Sequence, residues 1–352
     1  MSAAASQTGQ GGKGGRGAPQ AKDTALRRFL NGEAGIGFIP RSRTWAIVSL
    51  ALVVLSLVAL GGRGLNFSID FTGGTSFVIS GATEEFGSGD LRDALAELGL
   101  TDITAQVVDE GEGALVSTPD LGEVGGEMDR AATAALAEVT GAEPTDIDRQ
   151  AVGPRWGAQV TEQALLALAV FLALVVVYIS LRFEWRMALA ALVTLVHDIA
   201  VTVGVYALVG FEVSPASVIA LLTILGYSLY DTVVVFDRVT EDTQFLGASE
   251  NRTYGELANG SLNSVLVRSL STSVTSLLPV GALLIIGAQL LGADTLQDLA
   301  LALFVGMGVG TYSSIFVATP LLVWLKEREP RVAEHKERLL TQRGGASQAS
   351  TS

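Results

Sequence analysis

Six stretches of mainly apolar residues dominate the chain, each close to the roughly 20 residues that a helix needs to cross a bilayer. They run over Thr44–Gly61, Ala164–Leu181, Met187–Val209, Ala216–Phe236, Leu270–Leu291 and Leu299–Leu325. The long connection between the first two has shorter periods. Asn66–Ser80 alternates like a strand, and Gly89–Leu98 reads as a helix with Leu91, Leu95 and Leu98 on its apolar face. Ile103–Val108 and Ala114–Ser117 read as short strands around a Glu-Gly-Glu-Gly turn, followed by an alanine-rich helix over Glu123–Val139 and a last strand over Ile147–Val152. That β-α-β-β-α-β order suits a ferredoxin-like sandwich. The pattern predicts an α-helical membrane protein with six transmembrane helices and an α+β ferredoxin-like domain inserted between the first and second spans.

The expected divisions are a mostly disordered basic tail over 1–40, a first transmembrane helix over 41–62 and the inserted domain over 63–157. Five further helices occupy 158–326, and a C-terminal tail occupies 327–352. The first twenty residues and the last ten are small and polar, which reads as disorder. A cleaved secretory signal fits the first span poorly, because about forty residues precede it and no small-residue cleavage site follows its apolar run.

Composition agrees with the apolar runs. Of 352 residues 49% are hydrophobic and the mean hydropathy is +0.44, too high for an ordinary soluble domain. The chain has no cysteine and only two histidines, His197 and His335, which excludes disulfides and thiolate chemistry and leaves no zinc-site spacing. The net charge of −13 is unevenly spread. Lys13, Arg16, Lys22, Arg27, Arg28, Arg41 and Arg43 precede the first span, and Arg182 and Arg186 separate the second and third. Arg238 and Arg252 lie between the fourth and fifth, and Lys326, Arg328, Arg331, Lys336 and Arg338 follow the sixth. All fall on one side when both termini are cytoplasmic, as the positive-inside rule requires. The acidic insert is then extracytoplasmic, and its charge disfavours nucleic acid and anionic lipid.

Polar residues recur inside three spans at helical spacing. The sets are Thr194, Asp198 and Thr202 in the third, Thr223, Tyr227 and Asp231 in the fourth, and Arg268, Thr272 and Ser276 in the fifth. His197 adjoins the first set, and Ser269 and Ser273 lie beside the last. Lipid cannot solvate such groups, and an ionisable residue within a span costs roughly 2.5–3.5 kcal/mol on insertion scales. Asp231, seven residues before Arg238, sits roughly 10 Å along its helix. A carboxylate that takes up and releases a proton there suggests ion-coupled transport, with Arg268 either its partner or snorkelling to the surface. His197-Asp198 reads either as functional or as a static pair joining helices. Asp237 reads as a solvated end charge, and Pro279 as a packing kink or a hinge. Gly306, Gly308 and Gly310 suit close helix packing. No phosphate loop, metal cluster or nucleophile constellation supports an enzyme.

These motifs resemble the SecD/SecF family of bacterial protein-export subunits, itself similar to the resistance–nodulation–division transporters. The likeness rests on Ile69-Asp70-Phe71-Thr72-Gly73-Gly74-Thr75 after the first span, on His197-Asp198, and on Gly226-Tyr227-Ser228 through Asp231-Thr232-Val233-Val234-Val235-Phe236-Asp237-Arg238. It covers roughly Arg41 to Lys326. Tyr230 and Ser68 depart from the usual pattern, which leaves local packing open. The resemblance implies the smaller subunit of the pair, in the plasma membrane, with SecD as a homologous six-span partner. It further implies the SecYEG translocon, YajC, the SecA-driven system and unfolded preprotein as associates. Asp231 and Arg268 would then couple protons, the coupling ion, to export without any other cofactor. Asp70, Phe71, Gly73 and Gly74 form a motif that the glycines explain structurally, since they permit a bend or a close backbone approach. Two alternatives are a small-molecule or lipid exporter of the same superfamily and a static scaffold of the translocation channel.

Overall fold

Long apolar runs satisfy their backbone groups within helices, and six helices here are long and apolar enough to cross a membrane. The computed structural model describes residues 35–108, 113–122, 125–244, 246, 251–290 and 294–349. Most of the basic tail and the Glu110-Gly111-Glu112 part of the expected turn lie outside the described residues. The spans are Ser42–Arg63, Pro154–Arg182, Trp185–Val209, Pro215–Thr243, Tyr254–Leu290 and Asp294–Ser313, the last continued by a π-helical turn over Ser314–Ala318 and by Thr319–Lys326. The second and fifth begin well before their apolar runs. Proline tolerates the first helical position of the second span, and Leu257, Ala258 and Leu262 give the early fifth span a buried face.

Between the first and second spans the chain forms β1 (Asn66–Phe67), a one-turn helix (Ile69–Thr72) and β2 (Gly74–Ile79). A helix (Ser88–Glu97), β3 (Thr104–Val108), β4 (Gly113–Thr118), a second helix (Glu127–Thr140) and β5 (Ile147–Val152) follow. The sheet order is β3-β4-β2-β5 with every neighbouring pair antiparallel. Phe77 and Ile79 of β2 and Val116 of β4 meet Leu91, Leu95 and Leu136 from the two helices in one buried core. Phe77 is wholly buried, so Phe77→Ala in the full chain should cost about 3–5 kcal/mol. Limited proteolysis within residues 63–157 would then begin at a lower temperature than in wild type.

The single strand expected over Asn66–Ser80 is instead broken in two. Gly73 and Gly74 adopt φ of 73° and 134°, which a strand of L-residues does not sustain. A side chain at Gly74 would strike the Thr118 carbonyl. β1 pairs in parallel with β6 (Glu212–Val213), in the loop between the third and fourth spans, through Asn66↔Glu212 and Phe67↔Val213.

Both expected tails are partly ordered. Asn263 bonds the backbone N–H and C=O of Ile36 (both 2.9 Å), and Asn259 accepts from Phe38 (2.8 Å) and Ile39 (3.1 Å). These side chains satisfy backbone groups that no secondary structure pairs, and Phe38 is buried in the bundle core. At the other end a helix runs over Pro330–Ala349, where disorder was expected in the last ten residues. Val332 and Leu339 give it a buried face, and Arg343 anchors it to Glu256 (2.8 Å) and to the Asn251 carbonyl (2.7 Å).

Candidate functional site

Asp231 projects from the fourth span into a set of hydroxyls. Ser269 of the fifth span donates to its carboxylate at 2.8 Å, and Ser314 of the sixth span donates to it as well. Ser314 opens the π-helical turn, a form of helix frequent at functional sites. Beside this cluster Thr311 donates to Ser273 at 2.8 Å, and Ser273 donates to the Ser269 carbonyl at 2.9 Å. The fourth, fifth and sixth spans thus meet around one half-buried acid.

The structure does not join Asp231 to Arg268. Arg268 is exposed on the outside of the bundle and makes no ion pair among the described residues. Ser269, one residue later, faces the acid. A helix turns about 100° per residue, so a carboxylate that meets Ser269 sees residue 268 rotated away. Thr272 and Ser276 follow Arg268 toward the outer side, half-buried, whereas Ser269 and Ser273 form the inward stripe. In the fourth span Tyr227 is half-buried, Thr223 is exposed, and Ser228 and Thr232 face inward. The outer surface near Asp231 therefore carries Thr223, Tyr230, Arg268, Ser271, Thr272 and Thr275, polar groups that hydrocarbon would not solvate.

The stripe in the third span does face inward. Thr194, His197, Asp198 and Thr202 are all buried, and Thr194 donates to the Ala190 carbonyl at 2.8 Å. Asp198, only 1% exposed, meets Ser228 Oγ at 2.5 Å and His197 Nδ1 at 3.3 Å. The imidazole stacks on Tyr312 of the sixth span, whose hydroxyl bonds Ser49 of the first span at 2.9 Å. Gly310 brings the sixth span close to Ser228 and Gly306 brings it against Ile224, as expected, whereas nothing lies within 4 Å of a side chain added at Gly308.

Asp70, Phe71, Gly73 and Gly74 lie away from these acids, at the start of the insert. The one-turn helix carrying Asp70 and Phe71 packs on the first turn of the second span, where a side chain at Gly157 would strike the Phe71 carbonyl and the Gly73 amide. Burial raises the Asp70 carboxyl above its usual value. Asp237, expected as an end charge, pairs with Arg182 at 2.8 Å with both groups about half exposed. Ser314, Thr311 and Tyr312 were not singled out from sequence, and Ser228 entered only as part of the motif from Gly226 to Arg238. For the serines and Thr311 the signal that could have found them is a small polar residue inside an apolar span on the face toward an acid, a signal that does not reach Tyr312.

Fold and site define a class, a multi-pass membrane protein whose bundle holds two carboxylates among hydroxyls. Residues 132–328 match the family described as Protein export membrane protein SecD/SecF, C-terminal, and residues 58–81 match the SecD/SecF GG motif. The chain belongs to the SecD/SecF family of protein-export membrane proteins. It is similar to the protein translocase subunit SecF of Streptomyces coelicolor, 43% identical over 90% of this chain and 83% of that one. It is also similar to the same subunit of Mycobacterium tuberculosis, 42% identical over 92% of this chain and 74% of that one. The crystal structure of SecDF from Thermus thermophilus superposes with a TM-score of 0.71 at 36% identity, over 83% of this chain and 39% of that chain.

Proposed function

We propose that the protein is the SecF-type accessory subunit of bacterial protein export, using the proton-motive force with SecD to draw preproteins outward. Its associates on this reading are SecYEG, YajC and the SecA-driven system, and it hydrolyses no ATP. Six spans leave both termini on one side, and the basic residues between them make that side cytoplasmic. The insert over 63–157 is then an extracytoplasmic domain, ferredoxin-like by its strand order.

The observation that carries this reading is Asp231, an acid inside an apolar bundle whose described partners are two serine hydroxyls and no cation. Serine hydroxyls can stabilise either protonation state, because each can donate or accept. Arg268 stands nearby on the outer polar surface, which suits a second helical bundle covering it. A family relative that joins the two subunits in one SecDF chain supports SecD as that bundle. When the partner's helices shift, Arg268 approaches or leaves Asp231 and favours loss or uptake of its proton.

The test is preprotein export and proton flux in vesicles holding the protein with SecD and the translocon, with a proton potential imposed or collapsed. Export should rise with the potential, and flux should rise with it. Stimulation that is equal under both conditions would favour the scaffold reading and overturn the coupling.

A further inference from the structure

The insert's sheet, β3-β4-β2-β5, ends on β5, whose neighbour among the described strands is β2 alone. In an antiparallel pair, residues that exchange both backbone bonds alternate with residues whose N–H and C=O point the other way. Ser80 donates to the Asp146 carbonyl at 3.1 Å, one step beyond the Ile79↔Ile147 pair. That register commits the backbone groups of Asp148, Gln150 and Val152 to β2. Those of Ile147, Arg149 and Ala151 therefore point outward along the edge. The Arg149 N–H is held meanwhile by the Asp148 carboxylate at 2.8 Å, a side-chain bond that an incoming carbonyl could replace. The opposite edge, β3, is engaged by the chain itself. Arg92 donates to the Ala105 carbonyl at 3.4 Å, and Gln106 reaches Gly210.

Beside β5 lies a groove of about 500 Å³, walled by Arg130, Thr133 and Ala134 of the helix Glu127–Thr140 and by Ile147, Asp148 and Arg149 of the strand. Its base is fixed. Asp129, 2% exposed, accepts from the Gly125 amide at 2.7 Å and pairs with Arg149, which ties strand to helix. The six residues of β5 give an edge of about 20 Å.

We propose that this edge takes an extended segment of the preprotein as an added strand, lying between β5 and the helix. The inference rests on the export role proposed above. An emerging preprotein is unfolded, so its backbone donors and acceptors are free to pair, and main-chain bonds hold a strand of any sequence. Charge in the groove suits that tolerance. Arg130 and Arg149 balance Asp129 and Asp148 within an insert otherwise rich in acids, so the site neither repels nor selects a segment by its charge. Position suits it too, because β5 passes through Gly153 directly into the second span. A strand held on β5 thus has one end at the membrane surface.

The experiment uses the complex with SecD and the translocon in vesicles, with a preprotein arrested in transit. The chain has no cysteine, so Ala134→Cys places a single thiol on the exposed helix wall of the groove. Preproteins that each carry one cysteine, moved a residue at a time, are scored for disulfide yield. Yield should alternate with period two over about six residues, since successive side chains of a strand face opposite sides. Ala151→Pro removes one outward N–H at a place where an edge strand tolerates proline. It should lower the peak yield about fivefold, the worth of one main-chain hydrogen bond, whereas Ala151→Val keeps the N–H and the yield. A profile without alternation, or equal peak yields in Ala151→Pro and wild type, overturns the added strand. So does the absence of any preprotein adduct, the result expected if SecD or a second copy of this chain holds the edge. Wild type that adds nothing to export in the same vesicles overturns instead the export role on which the inference rests.

Discussion

Asp231→Asn should leave the complex assembled and remove its response to the proton potential. Asparagine has the shape of the acid and still accepts from Ser269 and Ser314 through its amide oxygen, so the three-helix junction keeps its packing. It takes up no proton near neutral pH. One charge crossing about 150 mV releases roughly 3.5 kcal/mol, enough to bias a two-state arrangement a few hundredfold. Complete inversion from 1:99 to 99:1 needs about 5.5 kcal/mol, which one proton at that potential does not supply. The variant should therefore export at the rate wild type shows with the potential collapsed. Recovery of the complex with SecD should be unchanged. Potential-stimulated export persisting in Asp231→Asn would remove this acid from the coupling path.

Gly204→Val should loosen the first span from the bundle. The first span packs on the third, and a side chain at Gly204 would meet the side chain and the backbone of Ser56. Backbone cannot rotate aside as the end of a flexible side chain can, so the two helices must separate. Overpacking of this kind costs about 1–3 kcal/mol or more, and small residues are what allow membrane helices to approach closely. The expected result is a lowered midpoint of thermal unfolding in detergent and earlier protease cleavage near residue 63. Gly61→Ala serves as the control, since nothing lies within 4 Å of a side chain added there. Equal midpoints for Gly204→Val and wild type would show that the first span does not depend on this contact.

The six helices were legible because bilayer thickness sets a length that few other structures share. Helical spacing also told which polar residues share a face. It did not tell which face turns inward, because lipid and protein core are equally apolar and the usual contrast between wet and dry sides is lost. Only in the third span, where Thr194, Asp198 and Thr202 are all buried, did the expected stripe prove to be the inward one. In the fifth, the arginine drew the eye to 268, 272 and 276, whereas the stripe facing the acid is Ser269 and Ser273. Ser314 was hidden by a π-helical turn, which shifts the register that spacing arguments assume. In the insert the order of elements was readable from alternation. Gly73 and Gly74 were read as a bend or a close backbone approach, which their φ values and the nearby Thr118 carbonyl bear out, whereas the helical turn over Ile69–Thr72 that divides the strand was not foreseen.

The parallel pairing of Asn66–Phe67 with Glu212–Val213 has a mechanical meaning. The root of the insert is stitched to the loop joining the two helices that carry Asp198 and Asp231, and Gln106 adds a bond to Gly210 of the same loop. Tilting those helices would pull on the insert at its base rather than through a slack tether. The sheet above would then swing as a rigid arm, turning ångström shifts within the bundle into larger strokes at its far edge.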